Sequence, residues 1–403
     1  MLFKKSNKLF VHIDCDSFFA ACEVFRNPEL KGKKVCVGGE IIIASTYEAK
    51  ALGVKTGTPI WEAKKILGNS GVFLGLDHEF YSLISSKLMS YLQENMLSVE
   101  QFSIDEAFCE ITGLSEMYKL STFDFLKNLQ KDILEKVGIP VSIGCANTRI
   151  KAKIFSKLNK PFGIYIGYDK EQEFELFKKM PLKLIPFIGR AHQERLKYSA
   201  KTIFDYIHLG FWEIKKMFGK NGTDLWLELM GVNAFIVKKS PEAKSISRTR
   251  SFNKGITSDR EFLLKQILYN FDKVFEMISD KNLEVKSISV MLRDKGFYTY
   301  YFTHKFSDFT NLRKDLLSVV LSLFANNFDN KKLYRSTGVV MSDFRSYLPR
   351  QINLFDKSNH SKDNDYKLTK IVNSINEKYG NHKVSFGVVS VGKKDEAKLY
   401  FRA

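Results

Sequence analysis

The chain has 403 residues, too many for one compact core and enough for about two to four domains. Its hydrophobic fraction of 44% and charged fraction of 27% belong to a folded, soluble chain, and no run approaches the roughly 18 uninterrupted apolar residues of a membrane span. A net charge of +18, spread along the chain rather than gathered in a tail, points to a polyanion such as nucleic acid lying along an extended groove.

The first residues, MLFKKSNKLF, carry neither an apolar run of signal-peptide length nor a small-residue cleavage site, so a cytoplasmic protein with no membrane partner is expected. KLFVHID (8–14) reads as a buried strand ending on a carboxylate, and FFAACEVF as a short helix. After the turn signals Asn27-Pro28 and Lys31-Gly32 come two β-rich runs, VCVGG and IIIAS, then a helical stretch from Tyr47 that Gly53 interrupts. Over 79–96 the residues Phe80, Leu83, Ile84, Leu88, Leu92 and Met96 recur at three- and four-residue spacing, which predicts an amphipathic helix. VEQFSIDEAFCEI predicts a hairpin whose arms meet at Asp105-Glu106. A second amphipathic helix is expected over 122–137, ended by Gly138 and Pro140. VSIGCA and GIYI read as strands on either side of a basic helix, RIKAKIFSKL. Strands interleaved with packing helices make an α+β or α/β core.

Residues 168–238 change character: helical, Lys-rich and punctuated by Pro181, Pro186, Gly189, Gly210, Gly219 and Gly222. KKSPEAKS (238–245) reads as a tether. From 246 to 347 three β-rich runs alternate with two helical patterns, a second and smaller unit. A polar tail follows, with an apolar cluster QINLF and then a further helix–strand stretch, LTKIVNSINEKYG and KVSFGVVSVG. The five cysteines, Cys15, Cys22, Cys36, Cys109 and Cys145, form no CxxC pair and read as buried apolar residues in a reducing compartment.

Asp14 and Asp16 stand one residue apart at the end of the first strand, where i and i+2 side chains share a face, and Asp105-Glu106 close a hairpin far away in sequence. Carboxylates gathered at adjacent strand ends suit magnesium, which takes oxygen ligands and leaves room for phosphate. Two such ions clamp the attacking and leaving oxygens of a phosphoryl displacement. Acidic pairs at strand ends and hairpins are also ordinary structure, so spacing alone leaves metal chemistry and turn chemistry both open.

HIDCDSFFAACE, SIDEAFCEITG and VSIGCANTRIKAKIFSKLNKPFGI resemble the palm motifs of Y-family DNA polymerases. EAKALGVKTGTP is similar to the fingers motif of the UmuC branch, while Tyr47 before it is more like DNA polymerase IV. The resemblance covers about residues 8–360 and implies a multidomain α+β right hand with a little-finger domain. It lays out palm at 1–25 and 73–167, fingers at 26–72, a helical thumb with a helix-hairpin-helix-like turn at 168–238, a DNA-binding little finger at 239–347 and a tail at 348–403.

Carried over by position, the resemblance makes Asp14, Asp105 and Glu106 the catalytic ligands of two Mg2+ ions, with Mn2+ as an alternative, and the Cys15 carbonyl a further ligand. Asp16 drops out of the ligand set. Phe19 becomes the steric gate against a ribose 2′-hydroxyl; Phe18, Tyr47, Lys50 and Lys160 become nucleotide-binding residues. Ala44 and Lys50 stand where polymerase IV members carry threonine and arginine, and lysine lacks the bidentate fork. PFIG (186–189) resembles the thumb turn whose backbone meets DNA phosphate at Gly189, but Phe187 replaces its first glycine, and a bulky residue resists the left-handed conformation. FGKNG (218–222) resembles a second thumb loop.

Arg248 and Arg250 in KSISRTRSF alternate with Thr249 and share one sheet face, expected along the duplex backbone. Gln351, Leu354 and Phe355 resemble a peptide that docks on a sliding clamp, and the stretch from Lys367 resembles the UmuC tail. The resemblance thus implies a low-fidelity, DNA-directed DNA polymerase for translesion synthesis and DNA repair in the SOS response. Its partners would be primer–template DNA, dNTP, a sliding clamp and a UmuD-like accessory protein. Two rival readings are a palm-type nucleotidyl cyclase and a non-catalytic DNA-binding repair factor with a relic palm. The basic segments would serve no purpose in the first, and intact Asp14, Asp105 and Glu106 argue against the second.

Overall fold

The computed structural model describes residues 8–167, 169–237, 243–252, 255–347 and isolated positions between 371 and 384. Gln351, Leu354, Phe355 and the helix–strand stretch of the tail therefore lie outside the elements described below. The chain forms two units, one up to residue 241 and one from 242.

The first unit begins with β1 (Phe10–Cys15) and α1 (Phe18–Arg26), followed by β2 (Lys34–Gly38), β3 (Ile42–Ser45), α2 (Tyr47–Ala51), α3 (Ile60–Leu67) and β4 (Gly71–Leu74). It continues through α4 (His78–Asn95), β5 (Ser98–Gln101), β6 (Glu106–Glu110), α5 (Leu114–Met117), α6 (Thr122–Val137), β7 (Val141–Ala146), α7 (Arg149–Phe155) and β8 (Ile164–Ile166). Four helices complete it: α8 (Lys170–Lys179), α9 (Arg190–Leu196), α10 (Ile203–His208) and α11 (Phe211–Leu229).

Five strands form one sheet in the order β5-β6-β1-β7-β8, with β1 antiparallel to both neighbours. β1 is covered on both faces, which is why it reads as an almost unbroken apolar run. Val11, Ile13 and Cys15 join Tyr81, Ile84, Leu88, Leu126, Leu129 and Ile133 of α4 and α6 in one core. Phe10 packs on the other face with Phe108, Ala146 and the α7 residues Ile150, Ile154 and Phe155. By alternation His12 and Asp14 also point to the α7 face. α6 is bounded as its pattern predicts: the Ser121 hydroxyl accepts from Asp124 N–H, and Gly138 ends the helix at φ 93°. A three-stranded sheet, β3-β2-β4, carries α2 and α3 over a small core of Cys36, Ile42, Ala49, Val54, Ala63 and Leu67.

α7 lies unusually close to the sheet. Gly144 of β7 pairs with His12, and a Cβ built on it would stand 2.1 Å from the Ala152 carbonyl oxygen and 2.2 Å from the Ser156 nitrogen. The helix expected to be merely basic is buried, and each of its cations has a partner. Arg149 pairs with Glu100 at 2.7 Å, Lys151 with Glu173 of α8 at 2.6 Å, and Lys153 with Glu106. Glu228 of α11, fully buried, accepts from the N–H groups of Ile150, Ala234 and Phe235 at 2.8–3.1 Å. These contacts fasten the helical part of the unit to α7.

Phe187 corrects an expectation. It adopts the left-handed conformation at φ 67° despite its side chain, and its ring meets Phe102 edge-on. Gly189 is extended, at φ −80° and ψ −176°, and precedes α9. In α11 the helix is broken at Gly219, within the FGKNG segment.

The second unit holds β9 (Ser245–Ser251), α12 (Arg260–Asp280), β10 (Leu283–Asp294), β11 (Thr299–Thr310), α13 (Arg313–Asn327) and β12 (Tyr334–Ser346). Its antiparallel sheet runs β11-β10-β12-β9, with α12 and α13 packed on one face over Ile288, Val290, Leu292, Val339 and Met341. The other face is rich in small hydroxyls: Ser245, Ser247, Thr249 and Ser251 on β9, Ser342 on β12, Ser287 and Ser289 on β10, Thr303 on β11. Arg248 and Arg250 share a face, as expected, but not this one. They pair with Val339 and Thr337 on the helix-covered side, and the Arg250 guanidinium lies 5.1 Å from the centre of the Tyr269 ring of α12. Among the described residues no helix is long and apolar enough to cross a membrane.

Candidate functional site

Pairing of β1 with β6 puts Asp14 directly opposite Glu106, and Asp105 is the residue before that strand. The Asp105 carbonyl accepts from Cys15 N–H at 2.9 Å, which ties the hairpin to the end of β1. A cleft of about 280 Å³ opens here. It is lined by Asp14, Cys15, Phe18, Phe19, Ala44, Tyr47, Lys50, Asp105 and Lys160, all singled out in the sequence, together with Ser17, Ile43 and Thr56, which were not.

Lys160 reaches the carboxylates from beyond α7, with Nζ 2.5 Å from Asp14 Oδ1 and 3.0 Å from Asp16 Oδ1. Burial opposes its charge, but the two aspartates outweigh burial and hold the ammonium well above its ordinary pKa. Lys50 Nζ donates to Ser17 Oγ at 2.6 Å and lies 4.4 Å from the Tyr47 ring centre. Burial first, then the like charge of Lys160, lowers the Lys50 pKa. The Tyr47 hydroxyl donates to Asp16 Oδ1 at 3.2 Å, and burial with the Asp16 charge pushes that phenol up to about 12.

Asp16 was set aside as a ligand, and the geometry gives it another task. It is buried, and it accepts from the Ser142 hydroxyl at 2.9–3.0 Å and from Phe162 N–H at 2.8 Å, besides Tyr47 and Lys160. One carboxylate thereby positions a phenol and an ammonium on the wall of the cleft. Ser17, the residue before α1, is held at φ 53°, a conformation rare outside glycine, and this presents its hydroxyl to Lys50.

Glu106 is held from the α7 side. Lys153 pairs with it, and His12 Nε2 lies 3.1 Å from Glu106 Oε2. His12 is fully buried, burial lowers its pKa, and its Nδ1 lies 2.8 Å from Ser156 Oγ. The Ser156 hydroxyl in turn donates to the Lys153 carbonyl at 3.0 Å, so both imidazole nitrogens are engaged within one buried network. Burial acts to raise the Glu106 pKa; the bonds to His12 and Lys153 outweigh it and hold the carboxyl down at about 2. Neither His12 nor Lys153 was singled out in the sequence. A histidine inside an apolar strand, two residues before an aspartate, was the available signal.

As a metal site the donor set fits. Oxygens of Asp14 and Glu106 lie within 4.8 Å of each other and of a His12 nitrogen. Asp105 shares the cleft with Asp14 but turns its carboxylate to the Ser103 hydroxyl, so it stands beside that cluster rather than in it. Both His12 nitrogens have partners, which leaves the carboxylates of Asp14 and Glu106, with Asp105 beside them, as the hard oxygens that suit a magnesium-type ion. The Cys15 side chain packs in the core with its thiol pKa pushed well up by burial, so only its main chain can serve the cleft.

Phe18 and Phe19 both line the cleft; Phe18 is otherwise buried, and the Phe19 ring is stacked on Tyr81 at 4.5 Å and 17°.

Residues 13–157 match the model of the impB/mucB/samB family, and residues 243–354 match that family's C-terminal domain. Among curated proteins, the DNA polymerase IV of Treponema denticola is 31% identical over 381 residues, 91% of this chain and 94% of that one. The DNA polymerase IV of Oceanobacillus iheyensis is 29% identical, over 93% of this chain and 90% of that one. In fold, the chain is similar to a Y-family DNA polymerase chimera at a TM-score of 0.69, with 23% identity over 84% of this chain and 100% of the other. An insertion ternary complex of Dbh DNA polymerase superposes at a TM-score of 0.59 with the same identity and coverage. These named relatives are of the polymerase IV kind, so the leaning of the fingers motif toward UmuC finds no support in them.

Proposed function

Because the chain belongs to the impB/mucB/samB family of Y-family DNA polymerases, we infer that this DNA-directed DNA polymerase extends primers with low fidelity in translesion synthesis and DNA repair. The observation that carries this reading is one cleft uniting Asp14 and Asp105 with two ammonium groups, a phenol and an aromatic ring.

In the reaction the primer 3′-hydroxyl attacks the α-phosphate of a dNTP, and pyrophosphate leaves. Lys50 and Lys160 are charges suited to a triphosphate, and Tyr47, kept as a phenol, adds a neutral donor. Asp16 keeps the Tyr47 and Lys160 groups aimed at the cleft. The Phe19 ring, braced on Tyr81, lies where a ribose 2′-hydroxyl would meet it. Asp14, Asp105 and Glu106 would hold two magnesium ions, with manganese an alternative, which supply Lewis-acid stabilisation of phosphate charge. His12 and Lys153 keep Glu106 ionised. Along the second unit, the hydroxyl-rich face suits a duplex backbone, Arg248 and Arg250 add cations at the edge strand β9 from the opposite face, and the turn at Gly189 adds main-chain N–H groups for phosphate. The enzyme works in the cytoplasm, and the segment with Gln351, Leu354 and Phe355 docks it on a sliding clamp.

Primer extension on plain and abasic templates with magnesium tests the whole reading. The wild type extends both, and Asp105→Ala loses about 1,000-fold in rate, the effect of removing several kcal/mol of charge stabilisation. Equal extension by that variant would remove Asp105 from the site.

A further inference from the structure

The turn between β10 and β11 runs Asp294-Lys295-Gly296-Phe297-Tyr298. Its hydrogen bonds fix it firmly. Phe297 N–H donates to the Asp294 carbonyl at 3.1 Å, Tyr298 N–H to Asp294 Oδ1 at 3.0 Å, and Asp294 N–H to the Tyr298 carbonyl at 3.0 Å. One residue of this turn is left-handed, a conformation glycine takes without steric cost. Gly296 is at hand one position earlier, yet Phe297 is the residue at φ 67°. A bulky aromatic there is a backbone outlier, and such outliers concentrate at ligand sites.

Burial does not explain the choice, since Phe297 is 66% exposed and Tyr298 69%. The guanidinium of Arg335 lies 3.6 Å from the Phe297 ring centre, and Lys332 Nζ 4.3 Å from the Tyr300 ring centre. Lys295 at the tip is exposed as well. Among the described residues Arg335 makes no ion pair. The turn's own acid, Asp294, is committed to Tyr298 N–H and to the Tyr300 hydroxyl. Lys332 also feels the charge of Asp329, but exposed aromatic faces beside exposed cations are the composition that binds single-stranded nucleic acid, because every base offers a π-face and every linkage a phosphate.

We propose that the Phe297–Tyr298 tip is a stacking site for an unpaired base of single-stranded DNA, with Arg335 bracing Phe297 and Lys295 and Lys332 meeting the neighbouring phosphates. This deepens the polymerase reading and rests on it for the choice of nucleic acid over protein.

The test uses the full chain and a fluorescent single-stranded oligonucleotide carrying 2-aminopurine, compared with a blunt duplex. Phe297→Gly and Phe297→Ala weaken single-strand affinity about tenfold and reduce the 2-aminopurine quench, while duplex affinity stays within about twofold. Phe297→Gly melts no lower than wild type, since glycine accepts the φ, which separates lost binding from lost folding. Unchanged single-strand affinity and quench in Phe297→Gly overturn the proposal, as does an equal loss on the blunt duplex. Primer extension by the same wild-type preparation reports on the polymerase reading separately. Extension with an unaltered Phe297→Gly sinks the tip alone, and a tip effect without extension sinks the polymerase reading alone.

Discussion

Phe187 meets Phe102 edge-on, with ring centroids 6.0 Å apart and planes at 72°, while its own backbone is left-handed at φ 67°. Phe102 in turn lies under the Lys153 ammonium, 4.6 Å from its ring centre, and its N–H donates to the Glu106 carbonyl at 3.0 Å. The turn before α9 therefore packs against the loop that carries Asp105 and leads into Glu106.

Replacing Phe187 separates conformation from contact. Glycine loses an aromatic pair worth about 0.5–1.5 kcal/mol but relieves a left-handed strain of about 1–2 kcal/mol. Alanine loses the pair and keeps the strain. Phe187→Ala is expected to be less stable than Phe187→Gly by about 1 kcal/mol in urea unfolding. The reverse order would show that the turn relaxes when the ring is removed.

Removing the Phe19 ring opens the cleft beside Tyr81. Phe19→Ala is expected to raise ribonucleotide incorporation relative to deoxyribonucleotide by about 10- to 200-fold, the range for small steric differences in a pocket. Steady-state kcat/KM ratios for ATP and dATP measure it. An unchanged ratio assigns the ring to packing alone.

Acid should unmake the Glu106 cluster. A carboxyl held at about 2, against an ordinary value of 4.5, favours the fold fully above pH 4.5 and loses that contribution as pH falls toward 2. The stability gap between wild type and Glu106→Gln is therefore expected to shrink between pH 5 and about pH 3 in urea titrations. A gap independent of pH would mean that His12 and Lys153 do not hold the ionised form.

Truncation after Leu348 removes the segment with Gln351, Leu354 and Phe355. Basal primer extension is expected to persist, and stimulation by a sliding clamp to vanish. Stimulation that survives truncation would place clamp docking elsewhere.

Much of this architecture could be read from periodicity. The helix expected over 122–137 spans Thr122–Val137, and the hairpin at Asp105-Glu106 joins β5 and β6. Burial on one face leaves a spacing in the sequence, so such elements announce themselves. Asp14 and Asp105 stood out by their places at a strand end and a hairpin, but their role, like the choice of Phe19, Lys50 and Lys160, came from resemblance, because the cleft draws these residues from separate stretches of chain. His12 and Lys153 stayed hidden, and Asp16 was noticed without its positioning role. Their roles depend on cross-strand register and on which side of β1 carries α7, neither of which local spacing encodes. Phe187 misled for a different reason: steric preference speaks against the left-handed region, and the turn holds the residue there all the same, its strain only partly offset by the ring contact.

Gly144 sits where nothing catalytic happens, yet it sets the gap between β7 and α7. Even a methyl group there would wedge that helix outward, carrying Ser156 away from His12 and Lys153 away from Glu106. A screen for lost DNA synthesis would therefore gather substitutions at this position beside those in the acids themselves. The enzyme's tolerance to mutation is bounded by backbone clearance as strictly as by chemistry.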